Sequence, residues 1–368
     1  MLFRLGELFS GPGGLAYGAI HADIGNKDFK IIHSWANDYD LSTCETYRYN
    51  ICPSNPESVI CCDVHDLDIS KNTLTDIDAL AFGFPCNDFS TVGEQKGFNG
   101  TYGPLYSYGI KVLNLFKPKW FLAENVSGLS SANKGTAFPK ILSDLYNAGY
   151  RIYPHLYKFE EYGIPQARHR IIIVGIRKDL PFEFKPPSTK PYKNCDISVR
   201  TALNVPPISS NAFNNELPLT TARVKKRLSY IKPGQNAFNA DIPPELQLKV
   251  KGAKISQIYR RLDPNKPSYT VTGSGGGGTH IYHYEELRSL TNRERARLQT
   301  FPDNYRFIGS KESIRRQIGM AVPCKGAKII FEAILKTFAQ INYDSIPDRK
   351  STRLNSSHSS VSRMPSSA

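Results

Sequence analysis

A single cysteine, Cys86, directly follows a proline at the end of an apolar stretch, ALAFGFPCNDFS. Cysteine inside a strand or helix usually packs as a small hydrophobic side chain. At the end of a strand, after Pro85, the thiol is instead displayed on a turn, where it can act as a nucleophile. The sequence therefore predicts a reactive thiol at this position.

An acid and two arginines lie at the ends of other strand-like stretches. Glu124 is near the end of KWFLAENV, and Arg168 and Arg170 open the strand-like stretch that starts in QARHR. A carboxyl group beside a thiol gives a nucleophile and acid pair, although a capping or ion-paired acid is the alternative. Two arginines spaced by two residues share one face of a strand. They bind a phosphate or carboxylate group, or they belong to an ion-paired surface.

Three glycines, Gly11, Gly13 and Gly14, lie in ELFSGPGG between the first predicted strand and the first predicted helix. Glycine allows a tight turn and a close approach of the backbone to a ligand at the start of a helix. The spacing differs from the G-x-G-x-x-G of dinucleotide-binding proteins. A nicotinamide-dependent oxidoreductase is therefore disfavoured.

Two aspartates follow the next two predicted strands. Asp38 ends the second strand, where a carboxylate can accept hydrogen bonds from ribose hydroxyls, or else it caps a helix or turn. Asp63 follows the third strand and either meets an adenine amino group or is an ordinary loop acid. The sequence leaves both alternatives open for each residue.

These residues need a scaffold that brings strand ends together. In residues 1–180, apolar strand-like stretches alternate with amphipathic helix-like stretches. This alternation predicts an α/β fold with a mostly parallel sheet covered on both faces. The carboxyl ends of the strands in such a sheet face one crevice, where ligands bind. We therefore expect the candidate residues at one edge of the sheet.

Beyond residue 180 the pattern changes. Prolines interrupt the chain repeatedly and GSGGGGTH occupies residues 273–280, which predicts a second, smaller and less regular domain. Helical spacing returns from Thr291, and the last helix has an apolar face that should dock on the first domain. The residues of that face are Ala327, Ile330, Phe331, Ile334, Phe338 and Ile341.

The chain of 368 residues carries a formal net charge of +14, and much of the excess lies in the middle. Residues 181–280 contain 15 Lys and Arg against six Asp and Glu. A basic region of this kind attracts polyanions, most often nucleic acid, although a solvated surface is the alternative.

The seven cysteines lack C-x-x-C spacing, which argues against a disulfide framework and against a zinc site, so no metal is expected. The sequence shows neither a secretory signal nor an apolar run that could cross a bilayer, which predicts a cytoplasmic chain without membrane contact. Residues 348–368 are Ser-rich and apolar-poor, which predicts disorder. Residues 348–358 read like one frame of a sequencing-library adapter, so we expect this tail to be an assembly artefact.

Six stretches in the order FSGPGG, FPCNDFS, ENV, QARHR, RERARLQTFPD and QIGMAVP resemble the DNA (cytosine-5)-methyltransferase family. The resemblance spans about residues 3–342, interrupted by a variable middle. It implies a Rossmann-like, S-adenosylmethionine-dependent methyltransferase sheet with a smaller, irregular target-recognition domain. The catalytic domain would comprise residues 1–180 and 312–345, the target-recognition domain 181–290, and a hinge 291–311.

The family resemblance also implies a covalent mechanism. Cys86 would add as a thiolate to C6 of cytosine, which makes C5 nucleophilic. Glu124 would donate a proton to N3, and Arg170 and Arg168 would hold the base oxygen and orient Glu124. The residues implied for the S-adenosyl-L-methionine site are Phe9, Gly11, Gly13, Gly14, Asp38, Tyr39, Asp63, Val64, Pro85, Leu105 and Val322.

The implied substrate is double-stranded DNA, in which the target cytosine must be flipped out of the helix. The basic middle would contact phosphates and read bases, and residues 273–280 either approach the DNA or form a linker. We expect a monomer, associated with the nucleoid through DNA, that protects host DNA beside a cognate restriction endonuclease. The alternatives are a tRNA cytosine-5 methyltransferase and a catalytically silent DNA-binding homologue. Asn87 and Met320 stand where the family often has glutamine and asparagine.

Overall fold

The computed structural model describes residues 1–84, 105–126, 128, 136–248, 256–273 and 277–346. Pro85, Cys86 and Asn87 lie outside the described residues, as does the Ser-rich segment 348–368. Within the described ranges, no helix is long and apolar enough to cross a bilayer.

The described residues form a seven-stranded sheet and a two-stranded sheet. The strands are β1 Leu2–Leu8, β2 Lys30–Asp38, β3 Val59–Cys61, β4 Ala79–Phe82, β5 Trp120–Val126, β6 Tyr150–Lys158, β7 Gln166–Ala167, β8 His169–Arg177 and β9 Ser268–Tyr269. The large sheet has the order β3-β2-β1-β4-β5-β8-β6. Its first five strands are parallel, and β8 is antiparallel to both β5 and β6. The mostly parallel α/β fold predicted from the alternation of elements is confirmed.

Within the described residues the helices are α1 Gly14–Ile20, α2 Leu41–Ile51, α3 Tyr106–Phe116, α4 Ala137–Asn147, α5 Val199–Asn204, α6 Ala222–Ser229, α7 Asn292–Leu298, α8 Lys311–Met320 and α9 Cys324–Phe338. Seven of them occupy stretches with helical spacing in the sequence, whereas α5 and α6 lie in the middle region, for which no helix is predicted. The pairing of β7 with β9 likewise has no counterpart in the sequence pattern. Two residues are too few to show a strand period.

The sheet is buried on both faces. Along β8, Ile172 and Val174 belong to one apolar cluster, whereas Ile171 and Ile173 belong to another. Since alternate residues of a strand point to opposite faces, the two clusters lie on opposite sides of the sheet. Helices α1 and α9 contribute to the first cluster, and α3 and α4 contribute to the second.

The last helix docks on the sheet, as its apolar face predicts. The ring of Phe331 in α9 lies 5.8 Å from that of Trp120 in β5, measured between centroids. Five of the six predicted face residues are buried. Ile341 is the exception and is 38% exposed, because α9 ends at Phe338 and the later residue lies beyond the helix.

Residues 181–290, called the middle segment below, contain little regular structure. The described part holds α5, α6, β9 and short 3-10 turns. A small apolar cluster centres on Leu228, Ile231, Ala237, Ile242, Leu246, Tyr259 and Tyr282. The guanidinium of Arg261 donates to four backbone carbonyls, those of Leu228, Ile231, His283 and Tyr284. The domain boundaries drawn from the sequence stay a prediction.

Candidate active site

Glu124 and Arg170 form an ion pair at the carboxyl edge of the parallel strands. Because β8 runs antiparallel to β5, the first residues of β8 reach the same edge as the last residues of β5. Nε of Arg170 lies 2.8 Å from Oε1 of Glu124, and the two side chains are 14% and 13% exposed. The guanidinium thus holds the carboxylate in a largely buried ion pair.

The second oxygen of Glu124 faces the chain that leaves β4. A Cβ atom placed on Gly83 would lie 3.3 Å from Oε2 of Glu124. Nδ2 of Asn125 donates to the carbonyl oxygen of Phe84 at 3.2 Å, which ties the end of β5 to the same stretch. Cys86, two residues further on, lies outside the described residues. The described chain therefore passes directly beside the acid just before it reaches the predicted nucleophile.

Arg168 has a different environment from Arg170. β8 begins one residue after Arg168, so the common strand face predicted for the two arginines stays a prediction. The Arg168 guanidinium donates to the carbonyl oxygens of Val271 at 3.2 Å, Gly319 at 3.1 Å and Met320 at 3.3 Å. These contacts position three backbone segments relative to one another. The base-holding role implied for Arg168 stays a prediction.

The glycine-rich loop between β1 and α1 follows a left-handed path. The φ angle is 53° at Phe9, 56° at Gly11 and 92° at Gly13. A Cβ atom on Gly14 would lie 2.5 Å from the carbonyl oxygen of Val322, so no side chain fits there. Glycine is therefore required by backbone conformation at position 13 and by close packing at position 14. The structure places Val322 against this loop.

Asp38 anchors the same loop. Its carboxylate accepts hydrogen bonds from the backbone N–H groups of Gly11 at 2.9 Å and Asp40 at 3.1 Å. Burial raises the pKa of Asp38, while these backbone donors oppose the shift. The alternative that Asp38 caps the following helix is wrong, because Asp40 caps α2 through the N–H of Thr43. Tyr39 is 73% exposed at this edge.

The other predicted ligand residues comprise an apolar group and an acid. Val64 and Leu105 are buried in one apolar cluster, and Phe9 packs against it. The exposed carboxylate of Asp63 accepts from the backbone N–H of His65 at 2.9 Å and contacts the His65 ring at 2.5 Å. These hydrogen bonds, the backbone one first, lower the pKa of Asp63. The structure thus places Phe9, Val64 and Leu105 in or against the same apolar cluster and engages Asp63 locally.

Two buried polar residues near the site have no role in the sequence prediction. Glu7 in β1 is buried and accepts a hydrogen bond from the Tyr47 hydroxyl. Burial raises the pKa of Glu7 to about 8. Gln166 accepts from the N–H of Val271 at 2.8 Å and donates to Oε1 of Gln299 at 2.9 Å. In the sequence, Glu7 can be noticed as an acid within an apolar strand. Gln166 can be noticed as a polar residue beside the arginines of QARHR.

Comparisons with known proteins point to one family. The family model for C-5 cytosine-specific DNA methylase matches residues 3–336. The chain is 58% identical over 356 residues to the type II methyltransferase M.BbvI of Brevibacillus brevis, with 94% of each chain covered. It is 40% identical to the type II methyltransferase M.NgoFVII of Neisseria gonorrhoeae, with 92% of this chain and 88% of that protein covered.

Solved structures share the fold. A prophage-encoded protein of E. coli, described as a DNA modification methyltransferase, matches with a TM-score of 0.68 at 23% identity. The match covers 91% of this chain and 99% of that one. The S. pombe Dnmt2 methyltransferase matches with a TM-score of 0.60 at 17% identity, covering 93% of this chain and all of that one (100%). At these identities the likeness shows a common Rossmann-like fold.

Proposed function

The chain belongs to the C-5 cytosine-specific DNA methylase family, and from that premise we propose how its residues carry out the reaction. It is a DNA (cytosine-5-)-methyltransferase of the restriction–modification type. We propose further that the enzyme transfers a methyl group from S-adenosyl-L-methionine to C5 of a cytosine. This cytosine would be flipped out of a specific duplex sequence. The observation that carries it is the ion pair of Glu124 with Arg170 beside the stretch that leads to Cys86.

The carboxyl edge of β1, β2 and β3 fits S-adenosyl-L-methionine. Phe9, Val64 and Leu105 supply an apolar surface that suits an adenine ring. Asp38 lies at the end of β2, where its carboxylate suits ribose hydroxyls. Among the described residues, a Cβ atom on Gly11 would meet only the sulfur of Met320, at 3.9 Å, so the loop backbone there is open to close approach. When bound, this molecule supplies an electrophilic methyl group.

Cytosine C5 becomes a nucleophile only after another nucleophile adds at C6. In the proposed sequence, the Cys86 thiolate forms a bond to C6 while Glu124 donates a proton to N3, so the ring carries no net negative charge. Arg170 keeps the carboxyl group of Glu124 aimed at the base. C5 then gains the methyl group and its proton passes to water, the S–C6 bond breaks as the thiolate leaves, and N3 returns its proton to Glu124.

The basic middle segment suits a duplex DNA substrate. Its 15 Lys and Arg in residues 181–280 supply positive charge for phosphate contacts, which position the duplex while a few side chains read bases. We assign target recognition to residues 181–290, and catalysis to residues 1–180 with 312–345. The type II names of the relatives support a role in which methylation protects host DNA from a cognate endonuclease.

The decisive experiment traps the covalent adduct. A pool of duplexes with randomised flanks carries 5-fluorocytosine in place of cytosine, and S-adenosyl-L-methionine is added. Fluorine at C5 cannot leave as a proton does, so the enzyme stays attached to the base. We expect a denaturation-resistant complex that mass spectrometry assigns to Cys86.

Two variants and two other substrates complete the design. Cys86→Ala should form no adduct, whereas Cys195→Ala, which removes an exposed thiol, should form it as the wild type does. Absence of an adduct with the wild-type protein on every duplex would overturn the covalent mechanism. An adduct with tRNA but not with DNA would show that the substrate is RNA. Bisulfite sequencing of DNA from expressing cells then gives the target sequence.

A further inference from the structure

Three side chains, His280, Arg295 in α7 and Arg315 in α8, form what we call the cationic cluster. The two arginines act electrostatically on each other and on His280. Nδ1 of His280 and Nε of Arg315 are buried without a hydrogen-bond partner among the described residues. Within the part of the chain that the structure describes, neither guanidinium makes a hydrogen bond or an ion pair. The cluster therefore holds donors that nothing in the described chain accepts.

Other buried arginines of this protein donate to several carbonyl oxygens, although Nε of Arg168 also lacks a partner. Arg168 donates to three carbonyl oxygens, Arg261 to four, and Arg293 to three. Arg295 is only 2% exposed, which is comparable to Arg168 at 1%, yet it lacks such partners. Removing a guanidinium from water without a compensating partner costs free energy. A buried arginine of this kind indicates an anionic partner that the described part of the chain does not supply.

The cluster is connected to the catalytic pair through Arg168 and α8. Arg168 interacts electrostatically with both Arg170 and Glu124. It also donates to the carbonyl oxygen of Gly319 in α8, the helix that carries Arg315. Arg168 thus links the catalytic pair to the helix that carries one member of the cluster.

The anion that best suits this cluster is a phosphate diester. Two guanidinium groups match the oxygens of a phosphate, and a neutral imidazole adds a further donor. Burial, together with the charges of the two arginines, lowers the pKa of His280 to about 4, so the ring is uncharged at neutral pH. His280 and Arg315 are partly exposed, so the cluster is open to solvent.

We propose that His280, Arg295 and Arg315 bind one backbone phosphate of the substrate DNA, next to the nucleotide that enters the catalytic site. This inference rests on the proposed function, because it takes duplex DNA as the substrate. It adds a defined phosphate contact, made by residues 280, 295 and 315, to the general attraction of the basic middle segment.

The first test is DNA binding by fluorescence anisotropy on a duplex that carries the mapped target sequence. Arg295→Met and Arg315→Met should each weaken binding about tenfold or more, as expected for a lost charged hydrogen bond. Between about 50 and 200 mM salt, each should also reduce the slope of log K against log salt by about 1. Lys30→Met, at the start of β2 and so at the opposite edge of the sheet, is the control and should leave the slope unchanged.

The second test locates the phosphate. Duplexes in which single phosphates around the target cytosine are replaced by neutral methylphosphonate are compared one by one. For the wild-type protein, one position should cause a large loss of affinity. Arg295→Met should show no further loss at that same position. At saturating DNA the variant should keep a kcat close to wild type while its KM rises.

The third test separates binding from folding. Arg295→Met should keep or increase the free energy of unfolding in urea, because it removes an unpartnered buried charge. If it unfolds the protein, the partly exposed Arg315→Met replaces it in the binding tests. Wild-type affinity and salt slope in both variants, or no coupled methylphosphonate position, would overturn the phosphate site while leaving the proposed function intact. A wild-type protein that binds no duplex DNA would overturn both.

Discussion

In the seven-stranded sheet, backbone N–H and C=O groups of paired strands bond to one another, whereas in the middle segment buried arginine side chains supply some of the donors to backbone carbonyl oxygens. β6 and β8 alone pair over nine residues, from Tyr150 with Arg177 to Lys158 with His169. In the middle segment, Arg261 binds four carbonyls and Arg227 binds that of Leu246. The arginine of the sheet edge, Arg170, instead pairs with a carboxylate.

This difference separates two consequences of losing a charged side chain. At the sheet edge the backbone is already satisfied, so Glu124 and Arg170 are available for chemistry and their loss should alter the rate. In the middle segment a lost guanidinium leaves several buried carbonyl oxygens without donors, so its loss should alter stability.

The largest effect is expected at the sheet edge. Glu124→Gln keeps an oxygen for Arg170 but cannot donate a carboxylic proton to N3. Methyl transfer, measured with tritiated S-adenosyl-L-methionine on duplex DNA, should slow about 10²–10⁴-fold. The free energy of unfolding should stay near the wild-type value. Glu161→Gln, at an exposed acid, is the control, and an unchanged rate in Glu124→Gln would remove the proton-donor role.

A smaller effect, on stability, is expected in the middle segment. Arg261→Met should lower the free energy of unfolding by about 3 kcal/mol, because several buried carbonyl oxygens lose their donor. Arg260→Met, which removes a guanidinium 4.7 Å from the ring centre of Tyr269, should cost about 1 kcal/mol or less. Urea unfolding of both variants provides the measurement. Equal losses in the two variants would contradict the distinction between the two regions.

The third effect, which depends on pH, concerns an exception within the sheet. Glu7 is a buried acid in β1, and burial raises its pKa to about 8 from an ordinary value of 4.5. The folded state therefore binds more protons than the unfolded state between these pH values, so the contribution of Glu7 to stability falls as pH rises through that window. The slope should be about 1.4 kcal/mol for each pH unit at most.

Comparison with the Glu7→Gln variant isolates the contribution of Glu7 to the pH dependence of the unfolding free energy. His33, which contacts the same Tyr47 hydroxyl, has a pKa lowered to about 4 by burial, so its contribution changes in the opposite direction, being lost below pH 6.5. The difference in unfolding free energy between wild type and Glu7→Gln should decrease steadily from pH 4.5 to about 8. A difference that does not vary with pH would mean that Glu7 is ionised in the fold.

The sequence predicts the sheet well because strands and helices have periods of two and 3.6 residues that single stretches reveal. It also predicts that Asp38 and Glu124 share one edge, because all parallel strands end there. Local sequence could not predict the partners of Arg168, since Gly319 lies 151 residues away. For the same reason the small pairing of β7 with β9 and the raised pKa of Glu7 emerge only from the folded chain.

The roles of individual site residues and the domain limits remain predictions for a different reason. Cys86 lies outside the described residues, so the pairing of its thiol with Glu124 stays a prediction. The glycine-rich stretch 273–280 is described only in part, and the alternatives of DNA contact and linker stay open for residues 274–276. His280, at its end, belongs to the cationic cluster.

Arg168 binds the middle segment through a main-chain oxygen, that of Val271. Any residue at position 271 can supply such an oxygen. A middle segment taken from a relative, provided that it follows the same chain path, would keep this hydrogen bond whatever side chain it carries there. The contact therefore constrains the path of the backbone and not the identity of the residue.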